Sequence, residues 1–234
     1  MYGHYRQRAG CPHNHLGGVS QAVLIILQAF TFLAAQVSAQ EGTQSGPKAH
    51  NNDAPAWAFS FSCLEYIVPR ATPYASPVFA VDHHRLHFEA RYNYEDQQTG
   101  SLWAGYNLST GNTVVLDATA MVGAVLGSTN GVAPGGRLSL NYKQLNLSNE
   151  LEYVLNPANS SANFLYSWNE LVYSPTEWFH AGLISQRTRA YHTPLDVQRG
   201  FLVGFSHKNI NLTTYILNVG WTDPTIVLGF GFTF

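Results

Sequence analysis

The chemistry-bearing residues of this chain are most concentrated in Arg85-Leu-His-Phe-Glu-Ala-Arg-Tyr-Asn-Tyr-Glu95. Read as a strand, the segment puts Arg85, His87, Glu89, Arg91, Asn93 and Glu95 on one face and Leu86, Phe88, Ala90, Tyr92 and Tyr94 on the other. A histidine flanked by carboxylates and guanidiniums can move protons. The same set can also line a water-filled passage with paired charge. Further polar residues fall into the same alternation elsewhere. Arg137, Ser139, Asn141 and Lys143 share a face, Glu150 and Glu152 follow two by two, and Asp117 stands with Thr119. Lysines and carboxylates on adjacent strands are expected to pair. His180, on a later strand, is a candidate to meet His87 from across an interior.

No motif turns these residues into a named activity. His83-His84 is tempting as a metal pair, but neighbours on a strand point to opposite faces and no third ligand lies near, so a turn is expected and no metal site. No phosphate loop, dinucleotide fingerprint or zinc spacing occurs, and no cofactor is expected. The Asn-X-Ser/Thr triplets at Asn107, Asn146, Asn159 and Asn211 read as chance.

The elements that must position these side chains are strands. From Ala56 onward one alternating segment follows another with no helical period of useful length, over 56–68, 77–83, 85–95, 100–109, 113–126, 136–144, 148–156, 163–174, 177–190, 198–207, 210–220 and 225–234. The count is twelve and even only if 77–83 is a strand. Two segments resist a simple face assignment. Glu170 forces Tyr166 and Trp168 to its own side and leaves Ser167 and Asn169 opposite, which suggests a register shift or bulge. On 210–220 neither face is consistently polar.

Before the strands comes a basic start with Arg6 and Arg8, an apolar run from Ala22 to Ala35, and Val37-Ser-Ala39. This is the pattern of a secretory signal peptide, 1–39, with cleavage expected after Ala39. The run is shorter than the roughly 20 apolar residues of a membrane-spanning helix. Residues 40–55 are polar and turn-rich and read as a flexible periplasmic lead-in to a domain at 56–234. Loss of Arg6 and Arg8 leaves ten basic against fourteen acidic side chains, net −4, with no basic tract to hold nucleic acid. Only Cys63 remains, so the processed chain has no internal disulfide.

The last ten residues, Thr225 to Phe234, put Ile226, Leu228, Phe230, Phe232 and Phe234 on one face and small residues on the other. With Gly229, Phe232 and Phe234, this stretch resembles the C-terminal assembly signal of bacterial outer-membrane β-barrels; Val227 stands where that signal usually has a polar residue. The resemblance implies an all-β fold, a transmembrane antiparallel up-and-down β-barrel of about 12 strands. It also implies a Gram-negative cell outer membrane, with outer-membrane lipids and the barrel-assembly machinery as partners.

Composition agrees with the barrel. Charged residues are 11% and aromatics 13%, yet mean hydropathy is only −0.10, as when each strand pairs an apolar outer set with a polar inner one. Trp57, Tyr92, Tyr94, Tyr142, Tyr173, Trp178, Trp221 and Phe234 lie near segment ends, where interfacial aromatics belong. A charge facing mid-bilayer lipid costs about 2–4 kcal/mol, so Arg85, His87, Glu89, Arg91, Asn93, Asp117, Arg137, Asn141, Lys143, Glu150 and Glu152 are expected to line the lumen. Turns at 82–84, 109–112, 145–148, 174–176 and 208–209 are short and fall on the periplasmic side. Outer loops such as 69–76, 127–136, 156–162 and 191–197 are longer. The expected function is a small porin-like channel for ions or small solutes. Two alternatives stand beside it: an outer-membrane lipid- or lipopolysaccharide-modifying enzyme, although no Ser–His context supports catalysis, and a structural barrel without transport.

Overall fold

Alternation that holds from one end of the domain to the other leaves each strand with neighbours on both sides only if the sheet closes. The computed structural model, which describes residues 57–190, 196–220 and 223–234, shows that closure. The strands are β1 (Ala58–Ile67), β2 (Tyr74–His83), β3 (Leu86–Tyr92), β4 (Thr99–Thr110), β5 (Val114–Gly127), β6 (Gly131–Tyr142), β7 (Leu145–Val154), β8 (Phe164–Tyr173), β9 (Phe179–Ala190), β10 (Asp196–His207), β11 (Ile210–Leu217) and β12 (Thr225–Thr233). Each is antiparallel to its sequence neighbours, and β1 pairs with β12 to make a twelve-stranded closed barrel. At the seam Phe61 faces Phe232, and Phe59 and Phe234 exchange backbone hydrogen bonds of 3.1 and 3.0 Å. The proposed leader, 1–39, the lead-in through residue 55, and Trp221 lie outside the described residues.

β2, on which the even count depends, begins at Tyr74 and contains Pro77. β3 pairs with it only from Val78 onward, so Pro77 stands at the end of that ladder, where a missing N–H is tolerated. β6 begins at Gly131, which reduces the expected outer loop 127–136 to residues 128–130. Pro134 explains why the extension is hard to read. Val132 and Leu155 exchange two backbone bonds, the next such pair would be Pro134 with Tyr153, and proline has no N–H to give. The β6–β7 ladder resumes in the same register at Gly135 and Glu152.

At one end of the barrel the hairpins are tight. His84, Lys143 and Lys208 each open a two-residue turn with φ of 53°, 53° and 52°. The opposite end carries 68–73, 93–98, 128–130 and 155–163, the last with a single 3-10 turn.

The outer wall is mostly apolar, with Glu65 on β1 an exception on the same face as exposed Ile67 and Leu228. On β5 the outward residues Val114, Leu116, Ala118, Ala120, Val122, Ala124 and Leu126 are unbroken by polarity. Exposed Trp57, Tyr142, Tyr173, Trp178 and Phe234 ring the tight-turn end. A polar patch interrupts this wall, where Asn149, Asn169, Ser185 and Arg199 are cross-strand partners in sequence on β7 to β10 and Ser167 pairs with exposed Arg187 beside them. Asn149 Nδ2 donates to Asn169 Oδ1 at 2.7 Å and Asn169 Nδ2 to the Ser185 carbonyl at 3.2 Å, so the amides satisfy one another. Both β8 ladders run without interruption, so the polarity of Ser167 and Asn169 reflects this outward patch and not a bulge.

Inside, the two halves of the barrel differ. The wall from β3 to β7 carries charge, whereas Ile184, Leu202, Tyr215, Leu217 and Val227 pack together on the other side.

Candidate lumen site

β3 presents His87, Glu89 and Arg91 inward, all buried, with Leu86, Phe88, Ala90 and Tyr92 outward. The pattern stops there at both ends. Arg85 belongs to the β2–β3 turn, where it is exposed and donates to the hydroxyl of outward-facing Tyr106 at 3.3 Å. Lys143 likewise occupies the β6–β7 turn, its ammonium 5.2 Å from the Tyr142 ring. Neither lies on the inner wall, because alternation fixes a face only while the chain remains a strand. Asn93 takes φ of 53° beyond the end of β3. Its side chain closes the 93–98 loop, donating to the Ala75 carbonyl at 3.0 Å and accepting from the Gln98 N–H at 2.8 Å. This left-handed residue reverses the face of the next one, so Tyr94, expected outside, turns inward against Tyr166 with ring centroids 5.8 Å apart.

The remaining charges converge. Glu89 accepts from Arg91 Nε at 2.6 Å, from Arg137, and lies 2.7 Å from His87 Nε2; the other ring nitrogen of His87 lies 2.7 Å from Asp82. Arg137 Nε donates to Glu150 at 2.8 Å. Arg91 Nη1 lies 3.0 Å from Glu150, 3.1 Å from Glu152 and 3.9 Å from Glu95. Two guanidiniums are thus shared among four carboxyls, Glu89, Glu95, Glu150 and Glu152. The expected pairing across adjacent strands is made by arginine rather than lysine. Arginine's forked donor set reaches several acceptors at once.

Packing fixes this network. The Arg91 guanidinium lies between the rings of Tyr94 and Trp103, 4.4 Å from each centroid. Trp103 Nε1 donates to Glu95 at 3.0 Å, and its ring lies flat on β5 where Gly123 offers no Cβ. A Cβ built at Gly123 would meet the indole at 2.5 Å, so that glycine is required by the close approach. The Arg91 side chain has no exposed surface, while Arg137 keeps about a third of its own.

A second polar track runs toward the tight-turn end. Asn107 donates to Asp82 at 2.6 Å and accepts from Thr119 at 2.7 Å. Asn141 donates to Asp117 at 3.2 Å and accepts from Asn146 at 2.6 Å. His180 does not join the His87 cluster; its Nε2 lies 3.0 Å from Thr213 Oγ1 on the β9–β11 side.

Two cavities border this network. One, of about 310 Å³, is lined on the long-loop side by Tyr66, Tyr74, Glu95, Asp96, Tyr166 and Gln186 among others. The other, of about 240 Å³, is lined by Ser62, Ser76, Arg137, Glu150, Trp168 and Thr213 among others. Tyr94 lines both, so its ring is part of the partition between them. Sequence alternation did carry Tyr166, Trp168 and Glu170 inward through Glu170's charge, and Trp168 Nε1 donates to Glu170 at 2.6 Å. It gave no warning of Tyr215, which meets Trp168 edge-on at 5.2 Å on a strand whose two faces are equally mixed.

No protein-family model matches the chain, and no curated protein matches it in sequence. Solved structures do match. A KdgM porin in complex with disordered oligogalacturonate is 11% identical with a TM-score of 0.56, over 75% of this chain and 99% of that one. A second KdgM porin structure is 12% identical at 0.55 over the same shares. OccK5 (OpdH) of Pseudomonas aeruginosa is 8% identical at 0.42, over 78% of this chain and 68% of that one. The likeness to KdgM is one of fold, and the fold is a porin-like closed barrel.

Proposed function

We propose that the chain is a small porin-like channel of a bacterial outer membrane, passing ions or small solutes. The observation that carries this reading is a closed barrel with a mostly apolar outer wall, whose interior has one charged side and holds cavities on both sides of a side-chain partition. An outer wall of this kind is stable in lipid because closure leaves no unpaired edge. The leader at 1–39 delivers the chain across the inner membrane, 40–55 remains periplasmic, and Gly229, Phe232 and Phe234 address the barrel to the assembly machinery. The tight turns face the periplasm and the longer loops face outward. His87, Glu89, Arg91, Asp117, Arg137, Asn141, Glu150 and Glu152 build the inner wall, with Arg137 the arginine open to a permeant and Arg91 packed behind it.

Barrels of about 8 strands are filled by side chains and those of about 16–18 hold wide water channels. Twelve strands with a partition predict a narrow pore of small unitary conductance. The test is a planar-bilayer recording on refolded protein. Discrete current steps are expected, and a folded barrel that never conducts removes the channel reading.

A further inference from the structure

The cavity on the long-loop side is lined by aromatic rings, carboxyls and amides. Tyr66 and Tyr74 stack with centroids 4.8 Å apart and planes 5° from parallel, and Tyr94 meets Tyr166 edge-on, so aromatic rings wall it on several sides. Its ionisable carboxyls are Glu95 and Asp96, and no lysine or arginine is among the described residues that line it. At about 310 Å³ it is at the small end of ligand pockets.

The acidic pair alone would be a solvated rim. Glu95 is different, because its side chain is wholly buried. One carboxylate oxygen, Oε1, accepts from Ser101 at 2.5 Å and Trp103 at 3.0 Å, while Oε2 has no hydrogen-bond partner. Gln186 Oε1, from β9, is a second buried acceptor with none, and it lines the same cavity. An unmet buried acceptor costs about 1–3 kcal/mol, more when charged, and a ligand bearing N–H donors recovers it. Arg91 lies 3.9 Å from Glu95 but 3.0 and 3.1 Å from Glu150 and Glu152, so Glu95 is the carboxyl it compensates least. An anion would meet Glu95 and Asp96 and no cation among the described residues that line the cavity. A neutral polyol would supply donors but no charge. A cation supplies both and gains from the ring faces.

We propose that this cavity binds a small organic ammonium, its N–H groups donating to Glu95 Oε2 and Gln186 Oε1 and its body held among Tyr66, Tyr74 and Tyr166. The site deepens the channel reading, on which it rests for the route by which solute reaches it from the loop end.

The test uses the full chain refolded in detergent micelles and titrated with butylammonium, with butyrate and glucose as the anionic and neutral probes. Trp103, bonded to Glu95, makes intrinsic fluorescence the readout. Saturable binding of butylammonium alone is expected, weakened roughly tenfold or more by Glu95→Gln, which keeps the acceptor for Ser101 and Trp103 but loses the charge. Glucose or butyrate binding as tightly as butylammonium, or wild-type affinity in a folded Glu95→Gln, overturns the proposal. If that variant does not fold, exposed Asp96→Asn decides: a smaller weakening supports the site and none overturns it. The micelle titration needs no current, so a barrel that binds butylammonium but does not conduct loses the channel and keeps the site. A conducting barrel with no saturable binding loses only the site.

Discussion

Arg137 on β6 donates to Glu89 on β3, although β4 and β5 lie between the two strands. The contact spans part of the barrel interior and is not a rung of the sheet. It ties the charge-bearing walls together, and it leaves Arg137 partly exposed beside Glu150 in the smaller cavity. Arg137→Glu therefore replaces a cation exposed in the barrel interior with a fifth carboxyl. Reversal potential across a salt gradient should move toward cations by a several-fold rise in permeability ratio, because water screening is weak at that depth. An unchanged potential would show that Arg137 does not face the conducting path.

Arg91 makes a contrasting prediction. With no exposed surface and contacts to Glu89, Glu150 and Glu152, its charge acts on stability rather than on a permeant. Arg91→Met leaves buried carboxyls uncompensated, and loss of one partner from a buried ion pair costs about 3–5 kcal/mol. The urea midpoint of the refolded barrel should fall accordingly. A midpoint equal to wild type would mean that the carboxyls find other compensation.

Tyr94 separates the two cavities, and Tyr94→Ala should open one into the other. Unitary conductance is expected to rise several-fold while the barrel, whose ladders do not involve Tyr94, keeps its folded gel mobility. Unchanged conductance in the folded variant would place the narrowest point elsewhere.

Phe234 tests address against stability. Its ring stacks on Phe59 at 5.6 Å and Phe232 at 5.5 Å but is 58% exposed, so Phe234→Ala should cost only about 1 kcal/mol. The refolded variant should still shift mobility on boiling, as closed barrels do, while its level in outer membranes of living cells drops much further. Normal levels there would remove Phe234 from the assembly signal.

Much of this architecture was readable because charge and alternation agree on β3, β6 and β7. Turning Glu89 or Glu150 toward mid-bilayer lipid would cost about 2–4 kcal/mol, which favours one orientation of their strands. Legibility failed where no such cost operates. Nothing in Tyr92-Asn-Tyr94 states that Asn93 adopts φ of 53°, and that one dihedral sends Tyr94 inward. Arg85 and Lys143 continue the alternation in letters, but the chain has already turned. Leu202, Leu217 and Val227 face inward because apolar side chains can fill an interior by packing on one another, and a rule of polar inside and apolar outside does not anticipate it.

The rung of Asn149, Asn169, Ser185 and Arg199 has a mechanical consequence. On β5 the apolar outer surface runs from Val114 to Leu126, whereas on β9 it runs from Phe179 to Leu183 before Ser185 and exposed Arg187. Lipid matched to the tall side is too thick for the short one, and mismatch is relieved by thinning the bilayer or tilting the protein. In a bilayer, the lipid beside β9 would therefore be drawn thin, or the barrel axis would lean, and lipids meeting that side would experience a different thickness from those a half-turn away.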